Sequence, residues 1–288
     1  MAIPLIRRPA VAGYFYPADA AALRDQVDAL TRTSEARAAA RAVIVPHGSY
    51  RHAGSVIGAT LGRVTVPRRC IVLGPSHTGA LTGWSVMAGG AYRTPLGDVP
   101  VDEACAAALC ARCRFLAPDA WAHRGEHAIE VLIPFLQRLG PADLTVTPII
   151  VGSEDGGELR PFAQALAQVI RMQEEDVLLI GSSDLSHYET KARGAVHDRA
   201  LSQALCTLDS GALARYLEAS GVVMCGYGAA VCVLEAAKGL GAREASLAAY
   251  STNADAGGDP DSVIGYAGFV INGISLMTQK PLQAAASR

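Results

Sequence analysis

Three short segments of this chain are apolar throughout, and they constrain the fold more than any other feature of the sequence. Residues 43–45 (VIV), 71–73 (IVL) and 177–180 (VLLI) contain no polar side chain. Strands with this pattern are covered on both faces, as in the parallel sheet of an α/β protein. Longer amphipathic segments alternate with them, which is typical of helices that pack on such a sheet.

The alternation predicts seven strands and eight helices. The predicted strands are 42–46, 69–73, 84–88, 145–151, 177–182, 245–250 and 263–271. The predicted helices are 18–32, 54–63, 102–113, 127–139, 159–172, 195–207, 210–219 and 227–239. Since no linker divides the chain, we predict one α/β domain over residues 1–288, with a largely parallel or mixed central sheet and helices on both faces. The tail from about residue 278 is expected to be frayed.

Composition favours a packed core and argues against two classes of partner. Half of the residues are hydrophobic, 18% are charged and the formal net charge is -2. Without a basic cluster we expect no nucleic-acid and no membrane partner. The N-terminal segment lacks the apolar run of a signal peptide, and the seven cysteines form no disulfide framework. We therefore expect a cytoplasmic protein.

Histidines follow the apolar strands at the points where those strands end. His47 follows strand 42–46, His77 lies in GPSH after strand 69–73, and Asp184 and His187 lie in SSDLSH after strand 177–182. Ligands of open α/β sheets bind beyond the carboxyl ends of the strands, so parallel neighbouring strands would bring these side chains into one crevice. A single loop histidine more often bonds a carbonyl, and Asp184 could simply cap a turn. The repeated placement favours a common site.

Two further segments are candidates for the same crevice. Cys225 precedes the predicted helix 227–239, where the helix dipole would favour a thiolate, although a buried apolar cysteine is the alternative. Glu126 and His127 open the predicted helix 127–139 and could point into the crevice. An ordinary helix-start position is the alternative for His127.

The remaining histidines and several tyrosines give weaker signals. His52, near a helix start, is a candidate substrate-side group. For His123 and His197 we expect structural roles. His197 falls within a helical pattern beside Asp198, an arrangement typical of a solvated helix face. Some tyrosines are candidates for the edge of a pocket, although such rings are more often core residues: Tyr14, Tyr16, Tyr50 and Tyr92.

Seven separated motifs resemble those of the Memo-like family and occur in the same order. They are residues 11–17 (VAGYFYP), 45–50 (VPHGSY), 73–77 (LGPSH), 92–97 (YRTPLG), 126–130 (EHAIE), 182–187 (SSDLSH) and 225–226 (CG). The resemblance runs from about residue 8 to about residue 272. Bacterial and archaeal members are also called the B component of the AmmeMemoRadiSam system, which implies association with a radical-SAM component. The family is similar in fold to the class III extradiol dioxygenases, which are non-haem iron enzymes.

The resemblance implies a role for each main candidate. His47, His77 and Cys225 match the metal-ligand positions, and His187 matches the acid/base histidine, with Asp184 beside it. The dioxygenases complete their iron site with a glutamate, whereas here the third position is a cysteine. A thiolate suits iron, copper or zinc without choosing among them, and the resemblance to iron enzymes makes iron(II) the expected metal, with copper or zinc as alternatives. A thiolate is also easily oxidised, which argues against it as a ligand in an enzyme that activates O₂.

Three hypotheses follow for the function. The first is a dioxygenase-type oxidoreductase that uses iron(II) on a small-molecule substrate, with His187 as acid/base. The second is a zinc-dependent hydrolase that uses the same pocket and the same base. The third is a non-catalytic module that binds a peptide, a small ligand or a metal, in which the pocket-edge tyrosines would matter more than His187. Whatever the reaction, the weaker candidates for substrate contact are Tyr50, His52, Glu126 and His127.

Overall fold

The computed structural model describes residues 5–79 and 83–272, so the predicted frayed tail lies outside the described residues. The strands in these ranges are β1 (Ile6–Arg7), β2 (Ala42–Val45), β3 (Arg69–Gly74), β4 (Trp84–Val86), β5 (Ala91–Thr94), β6 (Gly97–Pro100), β7 (Leu116–Pro118), β8 (Thr145–Ile150), β9 (Val177–Ser182), β10 (His187–Glu189), β11 (Glu244–Thr252) and β12 (Val263–Asn272). The α-helices are α1 (Ala20–Leu30), α2 (Gly54–Leu61), α3 (Glu103–Arg112), α4 (Ala120–His123), α5 (Ile133–Leu139), α6 (Gly156–Arg171), α7 (Lys191–Cys206), α8 (Ser210–Ser220) and α9 (Tyr227–Gly239).

The main sheet is mixed, with a parallel centre. Its strands lie in the order β10-β12-β2-β9-β3-β8-β4-β7, and β11 also pairs with β12. The neighbours β2, β9, β3 and β8 run parallel to one another. β12 is antiparallel to β2, and β4 is antiparallel to β8. A separate three-stranded sheet has the order β1-β5-β6.

Helices cover both faces of the main sheet, as predicted. Along β2, Ile44 faces a core that includes residues of α6, α7 and α9, whereas Val43 and Val45 face a second core that includes residues of α1, α2 and α5. All three side chains are at most 1% exposed. This burial on both sides explains why the central strands are apolar throughout. The predicted α/β fold class is confirmed.

The predicted helix over residues 127–139 begins later than expected. A short 3-10 turn spans Glu130–Leu132, and α5 starts only at Ile133. Pro134 explains this start, because proline lacks an N–H and fits the first turn of a helix. His127 therefore lies in a turn rather than on a helix. In the described part of the chain, no helix is long and apolar enough to cross a membrane.

Candidate metal centre

Three neighbouring parallel strands deliver the candidate residues to one edge of the sheet. β2 leads to His47, β9 leads to Asp184, and β3 leads to His77. Since β9 lies between β2 and β3 and is parallel to both, their carboxyl ends meet at the same edge. The convergence expected from the sequence is therefore present in the fold.

His47, His77 and Cys225 form a compact cluster of nitrogen and sulfur atoms. The Nε2 atom of His77 lies 2.8 Å from Sγ of Cys225, and Nε2 of His47 lies 3.4 Å from the same sulfur. One ligand atom from each residue can be chosen so that all three lie within 4.8 Å of one another. His47 is buried, whereas the side chain of His77 is 30% exposed, so the cluster can be reached from solvent.

Hydrogen bonds to the Nδ1 atoms fix which ring nitrogen of each histidine faces the cluster. Ser182 Oγ donates to the carbonyl oxygen of Ala128 at 2.7 Å, so it can only accept from Nδ1 of His47 at 2.9 Å. Glu126 Oε1 accepts from Nδ1 of His77 at 2.8 Å. With Nδ1 carrying the proton, the Nε2 lone pair of each ring is directed toward the sulfur. Metal-binding histidines are held in this way by their neighbours.

Glu126 holds His77 through both its backbone and its ring. Oε2 accepts from the backbone N–H of His77 at 2.5 Å, and Oε1 also accepts from the backbone N–H of Ala128 at 2.8 Å. Burial alone would raise the pKa of Glu126, but the hydrogen bonds from His77 and Ala128 outweigh it and lower the pKa to about 2. The group is therefore a carboxylate at neutral pH.

The start of α9 fixes the position of Cys225. Gly226 caps this helix with φ 91°, and a Cβ atom there would lie 2.4 Å from the carbonyl oxygen of Ser182. The backbone N–H of Asp184 donates to the carbonyl oxygen of Cys225 at 3.0 Å, and Ser183 Oγ donates to the same oxygen at 2.8 Å. These contacts hold α9 against the end of β9.

The thiolate that the start of the helix was expected to favour at Cys225 is not favoured by the surrounding protein groups, which keep the thiol protonated. Burial raises the pKa of Cys225 to about 12, and the neighbouring carboxylates Asp184 and Glu126 act in the same direction. A bound cation would reverse this balance, because a metal deprotonates the thiol that coordinates it.

The cluster histidines with shifted pKa values are neutral at physiological pH. Burial lowers the pKa of His47 to about 3, and the charge of His77 adds to the effect. Burial also lowers the pKa of His127 to about 4. A neutral imidazole is the form that binds a metal.

Asp184 lies between His47 and His187. Its Oδ1 accepts from the backbone N–H of His47 at 2.8 Å. Its Oδ2 lies 3.7 Å from Nε2 of His47 and 4.0 Å from Nε2 of His187. Burial raises the pKa of Asp184 to about 6, against the opposing hydrogen bond from His47. His187 Nδ1 donates to the carbonyl oxygen of Leu185 at 3.0 Å, which leaves the Nε2 lone pair free.

His127 completes the wall of aromatic rings around the cluster. Its ring centroid lies 4.3 Å from that of His77 and 5.7 Å from that of His47. On its other side it packs against Phe15 at 4.9 Å. A second group of potential ligand atoms is formed by His77, Glu126 and His127.

Comparison with known proteins shows the family. The family model described as "Memo-like protein" matches residues 7–270. A MEMO1 family protein of Methanopyrus kandleri is 34% identical over 277 residues, covering 92% of this chain and 98% of the relative. A MEMO1 family protein of Aquifex aeolicus is 34% identical over 266 residues, covering 92% and 98%. This chain belongs to the Memo-like family.

The fold of this Memo-like protein also occurs in a solved structure. The crystal structure of the uncharacterized protein JW3007 from Escherichia coli K12 superimposes with a TM-score of 0.53, covering 80% of this chain and 99% of the other. The sequence identity is 16%, so the likeness concerns the fold alone.

Two of the weaker candidates have other contacts: Tyr50 lies in the apolar core of this Memo-like protein, and His52 contacts a residue of its own turn. Tyr50 is 3% exposed, and its hydroxyl donates to the carbonyl oxygen of Val131 at 2.7 Å. Its ring packs against Tyr16 and Phe135, so Tyr50 is a core residue. His52 lies with Nδ1 3.1 Å from Oγ of Ser49, within its own turn.

The two histidines expected to be structural each contact a tyrosine hydroxyl, but the solvated face expected around Asp198 is wrong. His123 is buried, with Nδ1 2.8 Å from the hydroxyl oxygen of Tyr92. His197 lies 2.9 Å from the hydroxyl oxygen of Tyr216. Asp198 is not on a solvated face: it is 2% exposed and accepts from the backbone N–H of Ser186 at 2.9 Å. Asp198 lies three residues before Leu201 and seven before Leu205, which are both buried, so the helical period was the available signal.

Sequence reasoning also missed Ser182 and Phe15. Ser182 was read only as part of a strand and motif, yet it sets the orientation of the His47 ring. A polar residue at the last position of an apolar strand was the available signal. Phe15 packs against His127 although 112 residues separate them, and no local pattern could reveal that contact.

Proposed function

We propose that this protein binds one transition-metal ion through Nε2 of His47, Nε2 of His77 and Sγ of Cys225, and that it acts as an oxidoreductase of the dioxygenase type. Iron(II) is the proposed metal and a small molecule is the proposed substrate. Iron(II), when bound, would supply redox chemistry and open coordination positions. We propose a cytoplasmic location, and association with a radical-SAM component through the system for which the family is named.

The orientation of the two imidazoles carries the proposal. Each Nδ1 proton is held by an acceptor, Ser182 or Glu126, and each Nε2 faces the sulfur of Cys225. Two nitrogen donors and one sulfur donor leave further coordination positions free, as catalytic rather than structural metal sites do. The side of the cluster near His77 is open to solvent, which would let a substrate approach.

His187 is the proposed proton carrier. Its Nδ1 proton is held by the carbonyl oxygen of Leu185, so Nε2 can accept a proton from a substrate hydroxyl and return it later. Asp184 lies 4.0 Å from that nitrogen and would stabilise the protonated ring. Asp184 also holds the backbone of His47, which links the proposed base to the proposed metal ligands.

Metal analysis tests the proposal directly. We expect protein purified without added metal, or reconstituted anaerobically with iron(II), to hold about one metal ion per chain. Cys225→Ala should lose that ion. Cys206→Ala is the matched control, because Cys206 is also partly buried and lies outside the cluster. Equal metal content in wild type and Cys225→Ala would refute the proposed ligand set. O₂ uptake with catechols and other phenols then tests the reaction.

A zinc-dependent hydrolase is the second candidate, and the ligand set favours it in one respect. Two histidines, one cysteine and an open position also suit zinc, and zinc does not promote oxidation of its own thiolate ligand. His187 would then take a proton from water. Stoichiometric zinc without iron in the isolated protein would favour this reaction over the first.

A further inference from the structure

Tyr266 lies at the end of β12 that faces the metal centre, across from the loop that carries His47. β12 is antiparallel to β2, with Phe269 opposite Ile44. The same register, continued three residues past this pair, sets Tyr266 opposite His47. The tyrosine ring packs on Gly48, where a Cβ atom would lie 2.9 Å from the ring and 3.1 Å from the hydroxyl oxygen. The phenol therefore lies beside the backbone that carries a proposed metal ligand.

Backbone hydrogen bonds also join Tyr266 to the segment that carries the proposed base. Its neighbour Gly265 accepts from the backbone N–H of Leu185 at 2.8 Å and donates to the carbonyl oxygen of Ser186 at 2.9 Å. Burial raises the pKa of Tyr266, and the nearby carboxylate of Asp184 adds to the effect. The phenol consequently keeps its proton at neutral pH and can donate a hydrogen bond.

The hydroxyl of Tyr266 is buried but has no partner in the fold. Tyr266 is 3% exposed, and among the described residues its hydroxyl makes no hydrogen bond. Unlike the unpartnered hydroxyl of Ser76, which is sealed from solvent, the oxygen of Tyr266 keeps contact with open space. A buried polar group without a partner costs free energy. An unpartnered donor beside a cluster of potential metal ligands therefore indicates a bound molecule.

The neighbouring side chains of the cluster are hydrogen-bond acceptors. The Nδ1 protons of His47 and His77 are held by other groups, so each Nε2 carries a lone pair. The same holds for Nε2 of His187, and Oδ2 of Asp184 lies 4.0 Å from it. A molecule with an acceptor atom cannot pair with any of these four groups. The hydroxyl of Tyr266 supplies the donor that they lack.

We infer that Tyr266 is a substrate-contacting residue whose hydroxyl donates a hydrogen bond to an acceptor atom of the small molecule in the crevice. The inference rests on the proposed function and adds a residue to it, together with one requirement on the substrate. A molecule without an acceptor on the side that faces β12 would leave this donor unpaired and should bind more weakly.

Two matched variants separate a role in binding from a role in the fold. Tyr266 and Tyr50 are both 3% exposed, but the hydroxyl of Tyr50 donates to the carbonyl oxygen of Val131. Tyr50→Phe should lower the thermal midpoint by about 2–4 °C, because a buried acceptor loses its partner. Tyr266→Phe should leave the thermal midpoint unchanged, because no hydrogen bond within the fold is lost.

Azide binding to protein loaded with cobalt(II) measures the contact with a ligand. Cobalt(II) serves as a coloured substitute for iron(II), and azide is an anionic acceptor whose binding changes the visible spectrum of the ion. Azide should bind Tyr266→Phe at least about 10-fold more weakly than wild type, which is the loss expected for a hydrogen bond to a charged group. Tyr50→Phe should bind azide as wild type does. The cobalt content of all three proteins should be equal.

Metal uptake and azide affinity distinguish failure of the inference from failure of the proposed function. Metal uptake with the same azide binding, or the same lack of it, in wild type and Tyr266→Phe overturns the inference alone. A thermal midpoint that falls in Tyr266→Phe as far as in Tyr50→Phe also overturns it, because the hydroxyl would then serve the fold. If wild type takes up neither iron(II) nor cobalt(II), the proposed function fails, and the inference fails with it.

Discussion

Glu126 determines the orientation of His77 through both the ring and the backbone of that histidine. Its Oε1 accepts from the ring of His77 and from the backbone of Ala128, and its Oε2 accepts from the backbone of His77. Both oxygens are therefore needed as acceptors. An amide offers only one oxygen, and its NH₂ group would face an N–H donor.

Glu126→Gln should consequently weaken metal binding while the fold is retained. We expect an affinity about 10 to 100 times lower, as is usual when a partner of a metal-binding histidine is replaced. Competition with a chromophoric chelator measures this affinity. Glu218→Gln is the control, because Glu218 is exposed on α8 and lies outside the cluster. Equal affinities in the two variants would contradict the role of Glu126.

His123 should make the stability of the protein sensitive to acid. Burial lowers its pKa to about 3, and the charge of Arg7 adds to the effect. In the unfolded chain the pKa is the ordinary value of about 6.5, so the unfolded state takes up a proton first as the pH falls. Stability from the neutral imidazole is therefore complete above about pH 6.5 and decreases as the pH falls toward 3.

Between pH 7 and pH 5 this histidine should remove about 2 kcal/mol from the free energy of unfolding. His47 and His127 act in the same direction, so the measurement must be a difference. Urea unfolding of wild type and His123→Gln at both pH values provides it. The variant should lose about 2 kcal/mol less than wild type does. Equal losses of unfolding free energy in wild type and His123→Gln would show that His123 does not cause this pH dependence.

At the scale of elements, the junction between β9 and α9 depends on Gly226. Its φ is 91°, and an added Cβ would meet the carbonyl oxygen of Ser182 at 2.4 Å. Gly221 is a matched position, because its φ is 68° and an added Cβ would meet nothing within 4 Å. The two glycines thus separate the cost of positive φ from the cost of the close contact.

Gly221→Ala should lower the free energy of unfolding by about 1 kcal/mol, the usual cost of a left-handed residue. Gly226→Ala should cost at least about 3 kcal/mol, because the backbone of β9 and α9 must also separate. It should also reduce metal uptake, since Cys225 moves with the start of the helix. Denaturant unfolding and metal analysis of both variants check this. Similar stability losses would show that the contact with Ser182 is unimportant.

Helices and strands were predictable from the sequence where a regular pattern of apolar side chains runs over many residues, because one face or both faces of the element are then buried. The apolar strands and the helix over 227–239 follow from side-chain periodicity. The small sheet and α4 were missed, since segments of two to four residues show no period. The convergence of His47 and His77 was predictable because parallel neighbours share an edge. The hydrogen bonds that orient their rings were not, since Glu126 lies 49 residues beyond His77 and local patterns do not report such contacts.

At the scale of the molecule, one buried ion pair joins the small sheet to the metal-centre side of the main body. Arg7, on β1, pairs with Glu130, and their side chains are 2% and 0% exposed. Arg7 also donates to the carbonyl oxygens of His123 at 2.9 Å and Glu126 at 2.6 Å. Glu130 further accepts from the hydroxyl of Tyr16 at 2.6 Å. The N-terminal segment is thereby fixed to the turn that carries Glu126.

Removing Arg7 should destabilise the whole molecule far more than removing a surface arginine. Arg7→Met leaves the Glu130 carboxylate buried without a cation, which typically costs about 3–5 kcal/mol. Arg138→Met is the control: Arg138 pairs with Asp28, but the two side chains are 35% and 42% exposed, so the cost should stay below about 1 kcal/mol. Urea unfolding gives both values. Comparable costs would mean that the buried pair contributes no more than a solvated one, and that the small sheet is held chiefly by its apolar contacts.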